Sequence, residues 1–92
     1  MAGEARATLI IRNAAGLHLR AAANLVKTAD QFDAEVSIAK DGQVVNGRSI
    51  MGVMMLAAGI GSEVVLETVG EREQEAMDAL LTLISDKFGE GE

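Results

Sequence analysis

The sequence predicts an α+β domain in which helices cover one face of an antiparallel β-sheet. Two kinds of segment alternate along the chain: β-branched, apolar segments, and segments whose apolar residues recur every three or four positions. Strands with one polar face and helices with a single apolar stripe are typical of two packed layers. The predicted order is β-α-β-β-α-β-α, within a single domain that spans residues 1–92.

The first half of the chain predicts a strand, a helix and a hairpin. After a loose lead-in over residues 1–6, the β-branched segment 7–12 predicts the first strand. Residues 19–30 predict a helix whose apolar stripe consists of Ala22, Leu25, Val26 and Ala29. Alternation over residues 32–40 predicts a half-buried strand with its inward side chains at Ala34, Val36 and Ile38. An Asp-Gly turn then leads into a short strand at 43–46.

The second half predicts a short helix, a strand and a long helix. Ser49 offers a hydroxyl N-cap to a helix from residue 50 to about 57. Residues 63–69 predict the fourth strand, whose inward face stays open because its apolar residues are consecutive. Glutamates at positions 71, 73 and 75 favour the start of a helix. The apolar stripe of that helix consists of Met77, Leu80, Leu81, Ile84 and Phe88, with Lys87 in its last turn and a frayed tail at 89–92.

Composition excludes several classes of function. A formal net charge of −6 argues against a nucleic-acid or anionic-membrane surface, which needs clustered lysine and arginine. The chain has no cysteine and one histidine, so we expect no metal site, and no glycine-rich phosphate loop suggests a nucleotide cofactor. The longest uncharged run is too short to span a bilayer, and no apolar signal segment stands at the N-terminus. We therefore expect a cytoplasmic protein.

The stretch Gly-Leu-His-Leu-Arg-Ala-Ala at residues 16–22 is the strongest functional signal. His18 is placed at the predicted start of the first helix, where unpaired N–H groups and the helix dipole favour an anion. Histidine exchanges a phosphoryl group near neutral pH, and the fork of donors on Arg20 can bind phosphate oxygens. The pattern therefore predicts a phosphohistidine site, with an ordinary surface histidine in a turn as the alternative.

These residues resemble a known family. Residues 16–22 are similar to the Gly-Leu-His-Ala-Arg-Pro-Ala signature of HPr, the histidine-containing phosphocarriers of the sugar phosphotransferase system. Residues 49–56, Ser-Ile-Met-Gly-Val-Met-Met-Leu, resemble the serine-led second-helix segment of that family. The spacing between the two blocks also fits. The resemblance implies an open-faced sandwich whose four strands lie in the order 1-4-2-3.

Three positions depart from the signature. Leu19 stands where alanine is usual, Ala21 where proline is usual, and Ala15 replaces a small polar residue before the glycine. Loss of the proline removes a helix-start signal but breaks nothing, since alanine has the best helix propensity. The departures favour the nitrogen-related or regulatory branch of the family.

The resemblance implies a role for each residue of the first motif. His18 would accept a phosphoryl group through Nδ1 from a phosphohistidine on enzyme I and pass it to a histidine of an enzyme IIA-type protein. Arg20 would stabilise the transferring oxygens, although a solvated helix charge is its ordinary interpretation. Gly16 would supply a backbone geometry that a Cβ would hinder.

The second motif suggests docking and regulation. Core packing is the ordinary interpretation of Ile50, Met51, Met54 and Met55, but a short helix cannot bury all four. The resemblance assigns Met51, Met54 and, less firmly, Ile50 to a docking patch for enzyme I and enzyme IIA. Lys27 is as compatible with a rim charge of that patch as with a solvated lysine. Ser49 resembles a site phosphorylated in some members by a serine kinase.

The leading hypothesis is thus a monomeric phosphoryl carrier, which is a covalent shuttle and not a free-standing enzyme. One alternative is a regulatory protein-interaction module of the same fold, controlled through Ser49. Retention of His18 together with Arg20 argues against a module that has lost the chemistry. A small-molecule-binding α+β domain is the other alternative, and the sequence offers no plausible set of polar pocket residues for it.

Overall fold

A computed structural model describes residues 3–89 and has four strands and three α-helices. Their bounds are β1 Gly3–Ile10, α1 Leu19–Ala29, β2 Glu35–Lys40, β3 Gln43–Asn46, α2 Ile50–Met55, β4 Glu63–Gly70 and α3 Glu73–Ser85. A short 3₁₀ turn, Lys87–Gly89, follows α3. The strands form one sheet in the order β1-β4-β2-β3, and every neighbouring pair is antiparallel. The predicted fold class and strand order are confirmed.

The helices cover one face of the sheet, and the core lies between the two layers. The predicted stripe of α1 is buried, together with Ala21 at its start. On the sheet side, β4 turns Val64, Leu66 and Thr68 inward, which answers the question that its consecutive apolar residues had left open. The opposite face of the sheet is exposed, with Glu4, Arg6, Thr8 and Ile10 of β1 pointing outward.

The predicted lead-in over residues 1–6 was wrong where the structure describes it. Gly3 to Arg6 belong to β1 and pair with the last four residues of β4, so the hydrogen-bonded partner overrides the weak strand preference of alanine and glycine. Residues 1 and 2 lie outside the described part. The strand also ends earlier than predicted, at Ile10, because the backbone of Ile11 pairs instead with residues 61 and 62.

Two other boundaries differ from prediction. Phe32 lies outside β2, because residues 30–34 form a loop whose Phe32 and Ala34 carbonyls accept hydrogen bonds from the Arg48 guanidinium. Helix α2 ends at Met55 and not near Ala57, whose φ of 50° places it in the left-handed region.

The end of the chain also departs from the predicted helix. Helix α3 stops at Ser85, so Lys87 is not in its last turn. Lys87 and Phe88 both have positive φ, and this turn, rather than helical spacing, brings Phe88 into the core. Gly89 belongs to the same turn, and the predicted frayed tail otherwise falls on residues 90–92, outside the described part.

The start of α3 lies toward the other end of β4 from Glu63. The buried hydroxyl of Thr68 donates to the Glu73 carbonyl at 2.8 Å and ties the helix to the sheet. The Arg72 side chain donates to Glu75 Oε2 at 2.8 Å. This hydrogen bond, with the attraction between the two charges, lowers the pKa of the Glu75 carboxyl.

Candidate functional site

His18 is the N-cap of α1, one position before the helix and not within its first turn as predicted. Its backbone is extended, with φ −77° and ψ −178°, and its Nδ1 accepts a hydrogen bond from the Arg20 N–H at 3.1 Å. An N-cap side chain satisfies one of the unpaired N–H groups of a helix start in this way. Since Nδ1 is the acceptor, the neutral ring carries its proton on Nε2, and the Nδ1 lone pair lies at the positive end of α1.

A four-residue turn delivers the chain to His18. The Asn13 side chain is fully buried, and its Nδ2 donates to the Gly16 carbonyl at 2.8 Å. The Gly16 N–H donates in turn to the Asn13 carbonyl at 3.1 Å. Asn13 therefore contacts both polar backbone groups of Gly16. Sequence reasoning placed Asn13 in a turn and did not single it out, because a polar turn residue is ordinarily solvated.

Residues 57–62 form a support beneath this turn. Ile11 exchanges backbone hydrogen bonds with the support at 2.9 and 2.8 Å, and the Leu17 N–H donates to the Ala58 carbonyl at 2.9 Å. Gly16 has a φ of +66°, and a Cβ on it would lie 2.5 Å from the Ala58 carbonyl oxygen and 2.7 Å from Gly59 Cα. The turn and the support are thus in direct backbone contact on the N-terminal side of His18.

Arg20 is the second residue of α1, and its backbone N–H is the donor to His18. Its side chain is exposed and forms no hydrogen bond or ion pair with any other residue between 3 and 89. The guanidinium is therefore available to oxygens of a group attached to His18, on the same turn.

Helix α2 begins, as predicted, with Ser49, whose Oγ accepts a hydrogen bond from the Gly52 N–H at 3.0 Å. Of the predicted docking residues, Met51 is exposed, whereas Ile50 and Met54 are half-buried against the core. Three further exposed apolar side chains that sequence reasoning did not assign lie on the elements around His18. Together with Met51 they make up what we call the apolar rim: Leu19, Met51, Met55 and Ile60, each 61–69% exposed. The exposed Leu19 directly after the histidine was a signal that could have extended the predicted patch.

Comparison with known proteins identifies the family. A family model described as the "PTS HPr component phosphorylation site" matches residues 5–86. The chain belongs to the HPr family. It is 60% identical over 87 residues to the phosphocarrier protein HPr of Cupriavidus necator, an alignment covering 95% of this chain and 97% of that protein. A crystal structure of HPr from Thermoanaerobacter tengcongensis superposes with a TM-score of 0.90 at 44% identity, covering 94% of this chain and 97% of that one.

A second kind of relative is less extensive. The HPr-like protein Crh of Halalkalibacterium halodurans is 52% identical over 69 residues, which cover 75% of this chain and 82% of that protein. The longer and closer HPr matches, with the family model, make this chain a phosphocarrier protein of the phosphotransferase system.

Charge in this HPr-family chain is divided by segment. Residues 5–29 and 42–62, which include the turn, α1, α2 and the support, contain no aspartate or glutamate. Their charged residues are all basic: Arg6, Arg12, Arg20, Lys27 and Arg48. Lys27 is exposed in the last turn of α1, about 12 Å along the helix axis from Leu19. The acidic residues that give the net charge of −6 therefore belong to other segments, a division legible in the sequence that sequence reasoning overlooked.

Other kinds of site were also searched for. Among residues 3–89, no group of three or more histidine, cysteine, aspartate or glutamate side chains is arranged to hold a metal ion. Within the same residues, no helix combines the length and apolar character that crossing a membrane requires.

Proposed function

We propose that His18 is the residue that carries the phosphoryl group, attached to Nδ1. The observation that supports this most directly is the hydrogen bond from the Arg20 N–H to Nδ1, because it keeps that nitrogen unprotonated at the helix start. A phosphoryl group on Nδ1 would lie at the positive end of α1, where backbone N–H groups favour an anion. His18 is also the only histidine in the chain.

The transfer step needs neither a metal nor a nucleotide on the carrier. The lone pair of His18 Nδ1 attacks the phosphorus of a phosphohistidine on enzyme I, and a new N–P bond forms. The donor N–P bond breaks, and its electron pair returns to the donor ring, which leaves as neutral imidazole because its other nitrogen is protonated. His18 keeps its own Nε2 proton. Transfer to a histidine of an enzyme IIA-type protein repeats this exchange.

Incubation with enzyme I and phosphoenolpyruvate, followed by intact mass measurement, tests this function. We expect a gain of one acid-labile phosphoryl group per chain. Mapping that group to any residue other than His18, or finding no gain, would overturn the assignment. The regulatory module suggested by the Crh relative is the second candidate, since it shares the fold at 52% identity. A chain that accepts no phosphoryl group but still binds a partner protein would favour that candidate.

Arg20 is proposed to stabilise the phosphoryl group during transfer. Its exposed guanidinium has no other partner among residues 3–89 and follows His18 by two positions. A planar fork of donors matches phosphate oxygens bidentately, whereas a lysine ammonium acts as a point charge. Gly16 is proposed to act indirectly, through the close backbone approach described above.

We expect Arg20→Glu to slow phosphoryl acceptance by about a hundredfold, and Arg20→Lys by about tenfold or less. Glutamate places like charge beside the phosphoryl oxygens, while lysine loses only the fork. Single-turnover transfer from phosphorylated enzyme I provides the measurement. Arg6→Glu is the matched control, since it changes net charge equally but lies on the open face of the sheet. Equal rates for Arg20→Glu and Arg6→Glu would make Arg20 an ordinary surface charge.

Docking is proposed to use the apolar rim with Met54 and Ile50 beside it. Large apolar side chains at 61–69% exposure around a reactive group are characteristic of a surface that buries on binding. The surrounding segments carry only basic charge, so a partner with an acidic rim is complementary, and Lys27 would extend the attraction along α1. Enzyme I and an enzyme IIA-type protein are the proposed partners. The monomeric state and the cytoplasmic location stay predictions.

Ser49 is proposed as a regulatory phosphorylation site for a serine kinase. A phosphate there would add about −1.5 to −2 charge at a helix N-cap, which the dipole of α2 tolerates. The neighbouring Arg48 cannot readily neutralise that charge, because its guanidinium donates to the Phe32 and Ala34 carbonyls and lies 3.8 Å from Asp30. The added charge would therefore face an incoming acidic partner.

We expect Ser49→Asp to weaken binding to enzyme I by a factor of roughly 2 to 10 without lowering the thermal midpoint. Aspartate keeps the N-cap hydrogen bond and introduces only part of the phosphate charge. Ser49→Asn is the matched control, because asparagine caps equally well without charge. Calorimetric titration of both variants separates the two effects. If both bind like wild type, Ser49 is only a helix cap.

A further inference from the structure

We infer that Asn13 is a positioning residue for phosphoryl transfer, acting through the turn that orients His18. This inference rests on the proposed function of His18. Asn13 lies five positions before the histidine, and its side chain is 0% exposed, which is uncommon for asparagine. A buried amide in a surface turn has lost its hydration, so its hydrogen bonds to the protein must compensate.

The contacts of Asn13 converge on one residue. Its Nδ2 donates to the Gly16 carbonyl at 2.8 Å, and its own carbonyl accepts the Gly16 N–H at 3.1 Å. Both polar backbone groups of Gly16 are therefore held by Asn13. This bracket fixes the left-handed conformation of Gly16, at φ +66°, from the side opposite the Ala58–Gly59 support.

The bracket determines where His18 begins. Between the backbone pairing of Ile11 and the first turn of α1, the turn has two anchors: Asn13 on Gly16, and the Leu17 N–H on the Ala58 carbonyl at 2.9 Å. Without the side-chain bond, the peptide that joins Gly16 to Leu17 is free to rotate, and the extended backbone of His18 rotates with it. The ring would then lose its alignment with the Arg20 N–H.

Such a displacement affects the reaction more than the fold. In-line transfer between two imidazoles requires the nucleophile to lie within a narrow range of distance and angle, and a 1 Å misplacement can cost about a hundredfold in rate. Asn13 touches neither the phosphoryl group nor a partner in this mechanism. Its contribution is the orientation of the Nδ1 lone pair.

Asn13→Leu tests the inference, because leucine has a similar shape and cannot donate to the Gly16 carbonyl. Thr68→Val is the matched control: it also removes a fully buried side-chain hydrogen bond to a backbone carbonyl, here that of Glu73. Thr68 lies five residues along β4 from Glu63, about 16 Å from the end of the strand nearest the site. Should Asn13→Leu not fold, Asn13→Ser replaces it, since its hydroxyl is too short to reach the same carbonyl.

Two readouts are needed, both taken well below the thermal midpoints of all variants. We expect single-turnover transfer from phosphorylated enzyme I to slow by about tenfold or more in Asn13→Leu and to stay near the wild-type rate in Thr68→Val. Nitrogen chemical shifts of the one imidazole report the protonation of Nδ1 independently of activity. We expect the Nε2-protonated form to lose population only in Asn13→Leu.

Each outcome decides a separate question. Wild-type rates and wild-type imidazole shifts in Asn13→Leu overturn the positioning role, and so does equal slowing in Asn13→Leu and Thr68→Val. A wild-type protein that accepts no phosphoryl group overturns the proposed function instead. In that case the imidazole shifts alone test whether Asn13 orients His18, and unchanged shifts reject it.

Discussion

His18→Asn should accept no phosphoryl group from enzyme I, yet remain at least as stable as wild type. Asparagine has no imidazole nucleophile, so the covalent step is lost completely. It is, however, among the best N-cap residues, and its side-chain oxygen can accept the Arg20 N–H that His18 Nδ1 accepts now. The variant therefore removes the chemistry and keeps the helix start.

His18→Ala provides the comparison. It also removes the nucleophile, but it leaves the N–H groups at the start of α1 without their cap, and we expect a loss of about 1 kcal/mol in the free energy of unfolding. Intact mass after reaction with enzyme I, together with denaturant unfolding, measures both effects. An acid-labile phosphoryl group on either variant would show that another residue carries it. Equal stability of the two would show that the histidine does not act as a cap.

The reactive stretch could be predicted because its chemistry depends on residue types at fixed positions. A lone histidine before an alanine-rich helix, followed by arginine, already indicates an anion site at a helix start. The sequence did not place His18 to the residue, because N-cap and first-turn positions differ only in backbone angles. Asn13 was missed for a related reason: its burial depends on the 57–62 support, far away in the chain.

The errors in the fold have the same origin. Gly3 to Arg6 carry little strand preference, and they become a strand because β4 offers them hydrogen-bond partners. Phe88 fits the apolar period of α3, yet it reaches the core through a left-handed turn that helical spacing cannot anticipate. Local patterns therefore predicted which residues are buried better than they predicted the backbone that buries them.

Gly16→Ala should be the most destabilising small substitution in the turn. At φ +66°, an alanine pays the steric cost of the left-handed region, and its Cβ would also lie 2.5 Å from the Ala58 carbonyl oxygen and 2.7 Å from Gly59 Cα. Both neighbours are backbone atoms, so relief requires the turn and its support to separate. We expect a loss of about 3 kcal/mol or more in the free energy of unfolding, with slower phosphoryl transfer.

Gly42→Ala isolates the steric part of that effect. Gly42 also has a positive φ, +84°, but no atom beyond its chain neighbours lies within 4 Å of a Cβ placed on it. It therefore incurs only the backbone cost, and we expect a loss of about 1 kcal/mol with unchanged transfer. Denaturant unfolding of the two variants side by side gives the difference. Equal losses would mean that the left-handed backbone alone requires glycine at position 16, and that close approach to the 57–62 support does not.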